Sequence, residues 1–199
     1  MVTNKLHPAP GRYLVPRRYY LSLYEIAKAM NSSLQVSEVM RTIVESTANA
    51  VDAKGCALAL LSPNKKRLWR GNTYGLSESY LQKGPVFTIA GIGKCINERH
   101  PVAVLKASED ELIQYREEAK KEGIASMLFV PMELRDEIIG VLTVRTSDPR
   151  VFQDEDVNFL KAIADLAAVA LANARLYEWV RRNEIGVASD LLDWYTSWA

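Results

Sequence analysis

The stretch "ADLAAVALANARLYE", from Ala164 to Glu178, constrains the fold of this chain most strongly. It belongs to a predicted helix from about Asp154 to about Asn183, and its apolar residues fall on two faces of that helix rather than one. One face is rich in alanine, which allows close packing on a sheet, so we expect it to be buried inside the domain. This first stripe comprises Leu160, Ile163, Ala164, Ala167, Leu171 and Ala174.

The second stripe of the same helix has spacings that alternate between four and three residues, as in a coiled-coil seam. It comprises Ala162, Leu166, Val169, Asn173, Leu176 and Val180. We expect it to contact another helix, either one of the domain's own first helices or a helix of a second copy. An Asn on such a seam can fix the register of paired helices, or it can hydrogen-bond locally. The candidate dimer-interface residues are Leu166, Val169, Asn173, Leu176 and Val180.

The order of the other elements predicts an α+β domain. Residues 1–17 contain three prolines and predict an extended arm, and helical spacing then begins near Arg18 and again near Ser37. Local hairpins predict about six strands in a mainly antiparallel sheet. These strands lie within residues 55–63, 67–75, 86–93, 101–105 and, for the clearest hairpin, 124–147. Short helices are predicted at 94–100 and at 109–122, the latter with a capping box formed by Ser108 and Glu111.

Composition and motifs exclude several classes of function. The formal net charge is +1, so no global field favours nucleic acid or an anionic membrane. No signal peptide and no unbroken apolar run of about 18 residues is present, so we expect a cytoplasmic protein. Cys56 and Cys95 form no disulfide framework, and no Walker loop, GxSxG, HExxH or metal-spaced motif occurs. We therefore expect no catalytic residues, no metal and no cofactor.

Three stretches of the chain resemble the GAF domain family, the small-molecule sensing and dimerisation module of signalling proteins. They are "TIAGIGKCINERHPVAV", "GIASMLFVPMELRDEIIGVLTVRTS", with Pro131 and Gly140 in the expected places, and "FQDEDVNFLKAIADLAAVALANARLYE". The resemblance implies a six-stranded antiparallel sheet between two layers. The first two helices and the last would cover one face, and short helices and loops would cover a ligand pocket on the other. The predicted boundaries are an arm at 1–17, the GAF domain at 18–183 and an amphipathic tail at 184–199.

The residues do not match the ligand-specific subfamilies. Cyclic-nucleotide-binding members carry an Asn-Lys pair before a Phe. No such pair precedes Phe152, and Asn64-Lys65 lies in a different hairpin. Bilin-binding relatives usually attach the chromophore through a Cys followed by His, and neither cysteine is followed by His. Haem-binding members need an axial histidine, whereas His100 precedes Pro101 in a predicted solvated turn.

A thiol enzyme is an alternative because free methionine sulfoxide reductases are also GAF domains. Their cysteine after a glycine turn resembles Cys95 in "GIGKC". That chemistry needs a resolving thiol, and residues 96–127 contain no cysteine. Redox sensing by Cys95 is a further alternative to simple packing against the sheet, which is also the expected role of Cys56.

Candidate ligand-binding residues follow from their positions, because a pocket needs apolar walls and a few polar groups. They are Trp69, Tyr74, Phe87, Cys95, Phe129 and Arg145. Core packing is the alternative for each aromatic residue. Arg145 ends an otherwise apolar strand, so its guanidinium could bind a carboxylate bidentately or reach solvent.

Together these features predict a non-catalytic sensory GAF domain that binds a small ligand and forms a homodimer through its terminal helices. A purely structural dimerisation module is the second interpretation, and the thiol enzyme or redox sensor is the third. The tail carries Trp194 and Trp198 and could contact an output domain or a partner protein. Met1 favours a complete chain over a fragment.

Overall fold

A computed structural model describes residues 16–32, 35–62 and 64–182, with side chains of the closing helix described as far as Asn173. The helices are α1 (Arg17–Ser32), α2 (Val36–Ala50), α3 (Glu78–Leu81), α4 (Ala90–Glu98), α5 (Arg116–Lys121) and α6 (Asp154–Arg182). The strands are β1 (Gly55–Leu61), β2 (Arg67–Tyr74), β3 (Val86–Phe87), β4 (Val102–Val104), β5 (Ser126–Leu134) and β6 (Glu137–Thr146). The predicted arm at 1–17, apart from its last two residues, and the tail at 184–199 lie outside the described residues.

The six strands form one antiparallel sheet in the order β3-β2-β1-β6-β5-β4, which confirms the predicted fold class. β6 lies at its centre because it pairs with β1 on one side and with β5 on the other. Strand periodicity then sends successive side chains of β6 to opposite faces. Leu142 and Val144 enter one hydrophobic cluster, whereas Val141 enters a second cluster on the other face.

The first cluster, the helix-side cluster, lies between the sheet and α1, α2 and α6. Ile43 and Val44 of α2 and Leu160 and Ile163 of α6 are fully buried there. The first four residues of the alanine-rich stripe of α6 are buried as predicted, because Ala164 and Ala167 are also fully buried. Leu171 is half-buried, and the side chain of Ala174 lies outside the described residues. Small side chains let the helix approach the sheet closely.

The second cluster lies on the opposite face, under α3, α4, α5 and the loops between them. Its buried members include Tyr80, Cys95, Ile113 and Phe129. The two-layer arrangement that the resemblance implied is therefore present. The second face is covered by short segments, which leave room for a cleft.

The predicted helix at 109–122 is wrong over its first half, because α5 begins only at Arg116. The Asp110 side chain accepts a hydrogen bond from the backbone N–H of Leu112 at 2.8 Å, and the Ile113 N–H bonds the Asp110 carbonyl. This local turn competes with helix and buries Ile113 against the sheet.

The predicted strand at 86–93 is also shorter than expected, since β3 ends at Phe87 and α4 begins at Ala90. The glycine turn lies inside this helix. A Cβ on Gly91 would lie 2.9 Å from the Leu112 carbonyl oxygen, and one on Gly93 would lie 2.7 Å from that of Thr88. The two glycines therefore permit close packing of backbone segments.

Candidate functional site

A cleft of about 500 Å³ opens on the sheet face opposite α1, α2 and α6. Its floor includes Ala57 and Ala59 of β1 and Thr143 of β6, whose register pairs Ala57 with Thr143. The two alanines and the threonine are short, so they leave the volume above the strands unfilled. The apolar side chains around the cleft include Leu68, Leu76, Leu81, Val86 and Ile92.

The segment that covers the cleft is fixed to the loop around α5. Ser77 caps α3 by accepting a hydrogen bond from the Tyr80 N–H at 3.2 Å, and its own N–H donates to Glu122 at 2.9 Å. The Ser77 hydroxyl also donates to the second carboxylate oxygen of Glu122. Further along, the Tyr115 hydroxyl donates to the Pro85 carbonyl at 2.7 Å. These bonds hold residues 77–87 over the sheet.

Arg145 is the charged group at the base of the cleft, and it is only 9% exposed. Its Nη1 donates to the carbonyl of Thr143 on the same strand at 3.3 Å, and its guanidinium lies 5.8 Å from the centroid of the Tyr80 ring. Its Nε is buried and has no hydrogen-bond acceptor among the described residues. An arginine prefers a planar acceptor pair, so this site has unused donor capacity.

Lys83 brings a second positive charge to the same place. Its Nζ lies 3.7 Å from the centroid of the Tyr80 ring and donates to the Tyr80 carbonyl at 3.0 Å. Burial, followed by repulsion from Arg145 and Arg70, lowers the pKa of Lys83 from 10.5 to about 8, although Glu122 and Glu118 act in the opposite sense. Burial is thus the main cause of the lowered Lys83 pKa, and the neighbouring positive charges add to it.

A smaller cavity of about 60 Å³ adjoins the cleft and shares Lys83, Val86, Ile92 and Arg145 with it. Phe129 of β5 and Tyr115 line its other side. Arg145 therefore borders both volumes.

The predicted ligand-binding residues fall into two groups. Trp69 and Arg145 line the larger cleft, and Phe129 and Arg145 line the smaller cavity. Three other candidates line neither volume: Tyr74, Phe87 and Cys95. Tyr74 packs against the helix-side cluster, Phe87 is exposed in the short strand β3, and Cys95 is buried in α4.

Sequence reasoning missed Arg70, Tyr80 and Lys83. Arg70 reaches across the cleft, where its Nη1 donates to the Leu81 carbonyl at 3.1 Å. Tyr80 and Lys83 belong to α3 and the turn after it, and no helix was predicted there. The Ser77-Glu78 start was a weak signal for this helix.

Both cysteines are fully buried free thiols. Burial raises the pKa of each to about 12, and for Cys56 this outweighs the opposing charge of Arg145. Since the thiolate is the nucleophile, neither residue is activated in this arrangement.

The candidate dimer residues differ in exposure. Leu166 is half-buried against the helix-side cluster, whereas Val169 is 43% exposed and Asn173 is exposed. Leu176 and Val180 belong to α6, but their side chains lie outside the described residues. On α1, three large apolar side chains are at least half exposed: Tyr20, Leu21 and Tyr24.

Two features are absent from the described residues, 16–32, 35–62 and 64–182. No group of three or more His, Cys, Asp or Glu side chains in that part of the chain could hold a metal ion. No helix there combines the length and apolar character needed to cross a membrane.

Comparison with known regulatory proteins gives partial matches. The Nif-specific regulatory protein of Herbaspirillum seropedicae is 26% identical over 166 residues, which are 80% of this chain and 30% of that protein. The formate hydrogenlyase transcriptional activator FhlA of Escherichia coli is 26% identical over 175 residues, covering 80% of this chain and 24% of that protein. The chain thus spans less than a third of the length of these relatives.

Solved structures with the same fold cover most of the chain. The GAF domain of a phosphoenolpyruvate-protein phosphotransferase from Coxiella burnetii has a TM-score of 0.72 and 20% identity, over 81% of this chain and 96% of that one. Free methionine-R-sulfoxide reductase from Neisseria meningitidis has a TM-score of 0.66 and 15% identity, over 80% and 91% respectively. At these identities the likeness concerns the fold alone. A family model described as GAF domain matches residues 33–172, which is well over half of the sequence, and the chain therefore belongs to the GAF domain family.

Proposed function

We propose that this chain is a non-catalytic sensory domain of a regulatory protein, which binds a small molecule in the cleft and dimerises through its terminal helices. The cleft carries this proposal. It combines a volume suited to a small molecule, mostly apolar walls and a buried arginine with a free donor, which together are typical of a ligand site. Similarity to regulatory proteins that contain a matching segment supports the regulatory role.

The exposed apolar side chains of the helix layer, which consists of α1, α2 and α6, support dimerisation. Tyr20 and Tyr24 of α1 are 60% and 68% exposed, and Val169 of α6 is exposed in the same layer. Large exposed apolar groups on neighbouring helices favour association with another helix surface. The four–three spacing around Val169 and Asn173 suits a helix from a second copy.

The segment that follows β6 is bonded to the helices on the other face of the sheet. Five residues beyond Arg145 on the chain, Arg150 donates from its backbone N–H to the Ser126 hydroxyl at 2.9 Å and from Nη2 to Asp156 at 2.9 Å. Its Nη1 donates to the carbonyl of Val51, directly after α2. A ligand at Arg145 would change the arrangement of the helices only if it bound one of two arrangements of this network more tightly than the other.

Equilibrium dialysis against the small-molecule fraction of a cell extract tests ligand binding. The wild-type chain is expected to retain a compound that the cleft-filling variant Ala57→Leu loses. Ala103→Leu, at the exposed position of the edge strand β4 and outside both cavities, is the matched control and keeps the compound. Circular dichroism checks that both variants fold. If the wild-type chain retains no compound, the sensory function is wrong and the structural dimerisation module takes its place.

Sedimentation equilibrium tests dimerisation separately. Tyr24→Lys and Val169→Lys are each expected to weaken the dimer at least tenfold, because each places a charge in an apolar contact. Asn49→Lys, at an exposed position of α2, is the control and leaves the dimer unchanged. A wild-type chain that stays monomeric at several hundred micromolar would contradict the proposed interface.

A further inference from the structure

Arg145 has hydrogen-bonding capacity that the described protein does not use. The side chain is more than nine-tenths buried, and its Nε has no acceptor in the described residues. Its one hydrogen bond there is a 3.3 Å contact from Nη1 to the Thr143 carbonyl. No carboxylate of the described residues forms an ion pair with it. A buried, unpaired guanidinium is costly, and a bound acceptor would remove that cost.

The charges that line the cleft have one sign. Arg67, Arg70, Lys83 and Arg145 line it, and its lining residues include no Asp or Glu. Glu122 and Glu118, the acidic groups that act on Lys83, are not among the residues that line the cleft. Glu122 is engaged by both the N–H and the hydroxyl of Ser77, so its two carboxylate oxygens are already in use.

We propose that the cleft binds a small organic anion, with its carboxylate or phosphate group held by Arg145 and Lys83 and its apolar body lying over Ala57 and Ala59. This assignment rests on the proposed sensory function and names the chemical class of its ligand. Arg145 supplies Nε–H as an unused donor, and Lys83 supplies a second positive charge that shares the Tyr80 ring. Hydrogen bonds from charged donors to an anionic group are the strong ones in a partly buried site.

The body of the ligand is expected to be apolar. The cleft walls contributed by Leu76, Leu81, Val86 and Ile92 offer no charged group to a neutral region of the molecule. A volume of about 500 Å³ exceeds the needs of an inorganic ion and suits a small organic molecule. The ligand class is thus an anionic group joined to an apolar skeleton.

Matched acid and amide probes test this class by calorimetry. Phenylacetate and 3-phenylpropionate are compared with phenylacetamide and 3-phenylpropionamide, which keep the shape and lose the charge. Each acid is expected to bind the wild-type chain at least about tenfold more tightly than its amide. Phenyl phosphate serves as the phosphate probe and distinguishes the two anionic groups.

Variants assign the preference to Arg145. Arg145→Gln is expected to reduce the acid preference severalfold, because the charged acceptor of the acid loses more than the neutral carbonyl of the amide, and Arg145→Lys is expected to restore part of the preference. Arg41→Gln, at an exposed position of α2, removes an equal charge outside the cleft and should leave the preference intact. Because Arg145→Gln could fail to fold, the Nε–H resonance of Arg145 is also followed in the wild-type chain. It should shift further with the acid than with the amide, whose carbonyl oxygen is an uncharged acceptor.

The two proposals fail in different ways. Equal binding of acid and amide, no binding of any acid, or an acid preference that Arg145→Gln leaves undiminished would overturn the anion proposal. If acid and amide bind equally and Ala57→Leu blocks binding of the amide, the cleft still binds a small molecule and the sensory function is retained. Retention of no compound in the dialysis experiment would overturn the sensory function itself.

Discussion

The Tyr19 hydroxyl donates a hydrogen bond to the Asp156 carboxylate, which joins the first turn of α1 to the first turn of α6. The Tyr19 ring also stacks on Phe159 with a centroid distance of 4.2 Å. Asp156 receives two further hydrogen bonds, from Arg150 at 2.9 Å and from the Gln153 N–H at 3.1 Å. This buried carboxylate therefore fixes how the terminal helices meet, on the face of the sheet opposite the cleft.

Replacing Tyr19 by Phe keeps the ring and removes the donor, so we expect the free energy of unfolding to fall by about 1–2 kcal/mol. Tyr20→Phe is the matched control, because the Tyr20 side chain is exposed and the same change should cost almost nothing. Urea denaturation measures both values. Equal stabilities for the two variants would show that the Tyr19 bond contributes nothing.

Asp156 should make stability depend on acid pH. Burial alone would raise its pKa, but hydrogen bonds from Tyr19 and Gln153 and the charge of Arg150 lower it below the ordinary value of 3.8. The stabilisation is therefore complete above that ordinary value and is lost as pH falls through the lower folded-state pKa. The stability difference between wild type and Asp156→Asn should be constant from pH 5 to 7 and shrink below about pH 4. A difference that stays constant down to pH 2 would contradict this assignment.

Anion binding should take up protons near pH 8. Lys83 has a pKa of about 8 because of burial and the repulsion of Arg145 and Arg70, opposed by Glu122 and Glu118. A bound anion stabilises the protonated ammonium, so the Lys83 pKa rises and phenylacetate should bind more weakly as pH increases from 7 to 9. Calorimetry at pH 8.5 in two buffers with different ionisation enthalpies measures the uptake, which should be absent at pH 6.5 and in Lys83→Met. Proton release, or uptake that persists in Lys83→Met, would rule out this role.

Gly140 should tolerate no side chain, since a Cβ there would lie well inside contact distance of the Ala59 carbonyl oxygen on β1. The Ala59 carbonyl and the Leu60 Cα that it would meet are backbone atoms near the sheet centre, so Gly140→Ala should cost roughly 2–4 kcal/mol. Gly123→Ala is the comparison, because Gly123 has a φ of +71° and open space around its Cα. It should cost only about 1 kcal/mol from backbone strain. Thermal unfolding that ranks the two variants in the reverse order would refute the steric explanation.

Periodicity was sufficient for the long elements and failed for the short ones. α2, the β5–β6 hairpin and α6 have many apolar residues at regular spacing, so the pattern averages over each element. α3 has four residues, and the start of α5 depends on a side-chain turn at Asp110. Such short elements are decided by individual hydrogen bonds and tertiary contacts that periodicity does not contain.

The candidate site was predictable only where it lies on a strand. Arg145 of β6 follows Val144, which packs under the helices, so alternation places Arg145 on the cleft face. Trp69 of β2 follows Leu68, which enters the second cluster, so alternation directs the Trp69 side chain to the other face. Lys83 and Tyr80 reach Arg145 because α3 folds back over the sheet, and Ser77 fixes that path through Glu122, a residue 45 positions later. The charge cluster is therefore a property of the fold, and neither spacing nor composition indicates it.

The distance between the α6 helices of a dimer tests the central claim, that a molecule in the cleft changes the arrangement of the helices. A spin label is attached at Lys161→Cys, which is exposed on α6 outside the proposed seam. We expect the reagent to leave Cys56 and Cys95 unlabelled, because both thiols are buried. Double electron–electron resonance then measures the label-to-label distance with and without the compound retained in dialysis. We expect the distance distribution to shift on binding in the wild-type background and to stay fixed with Ala57→Leu. An unchanged distribution at saturation, or an equal shift in Ala57→Leu, would contradict the account.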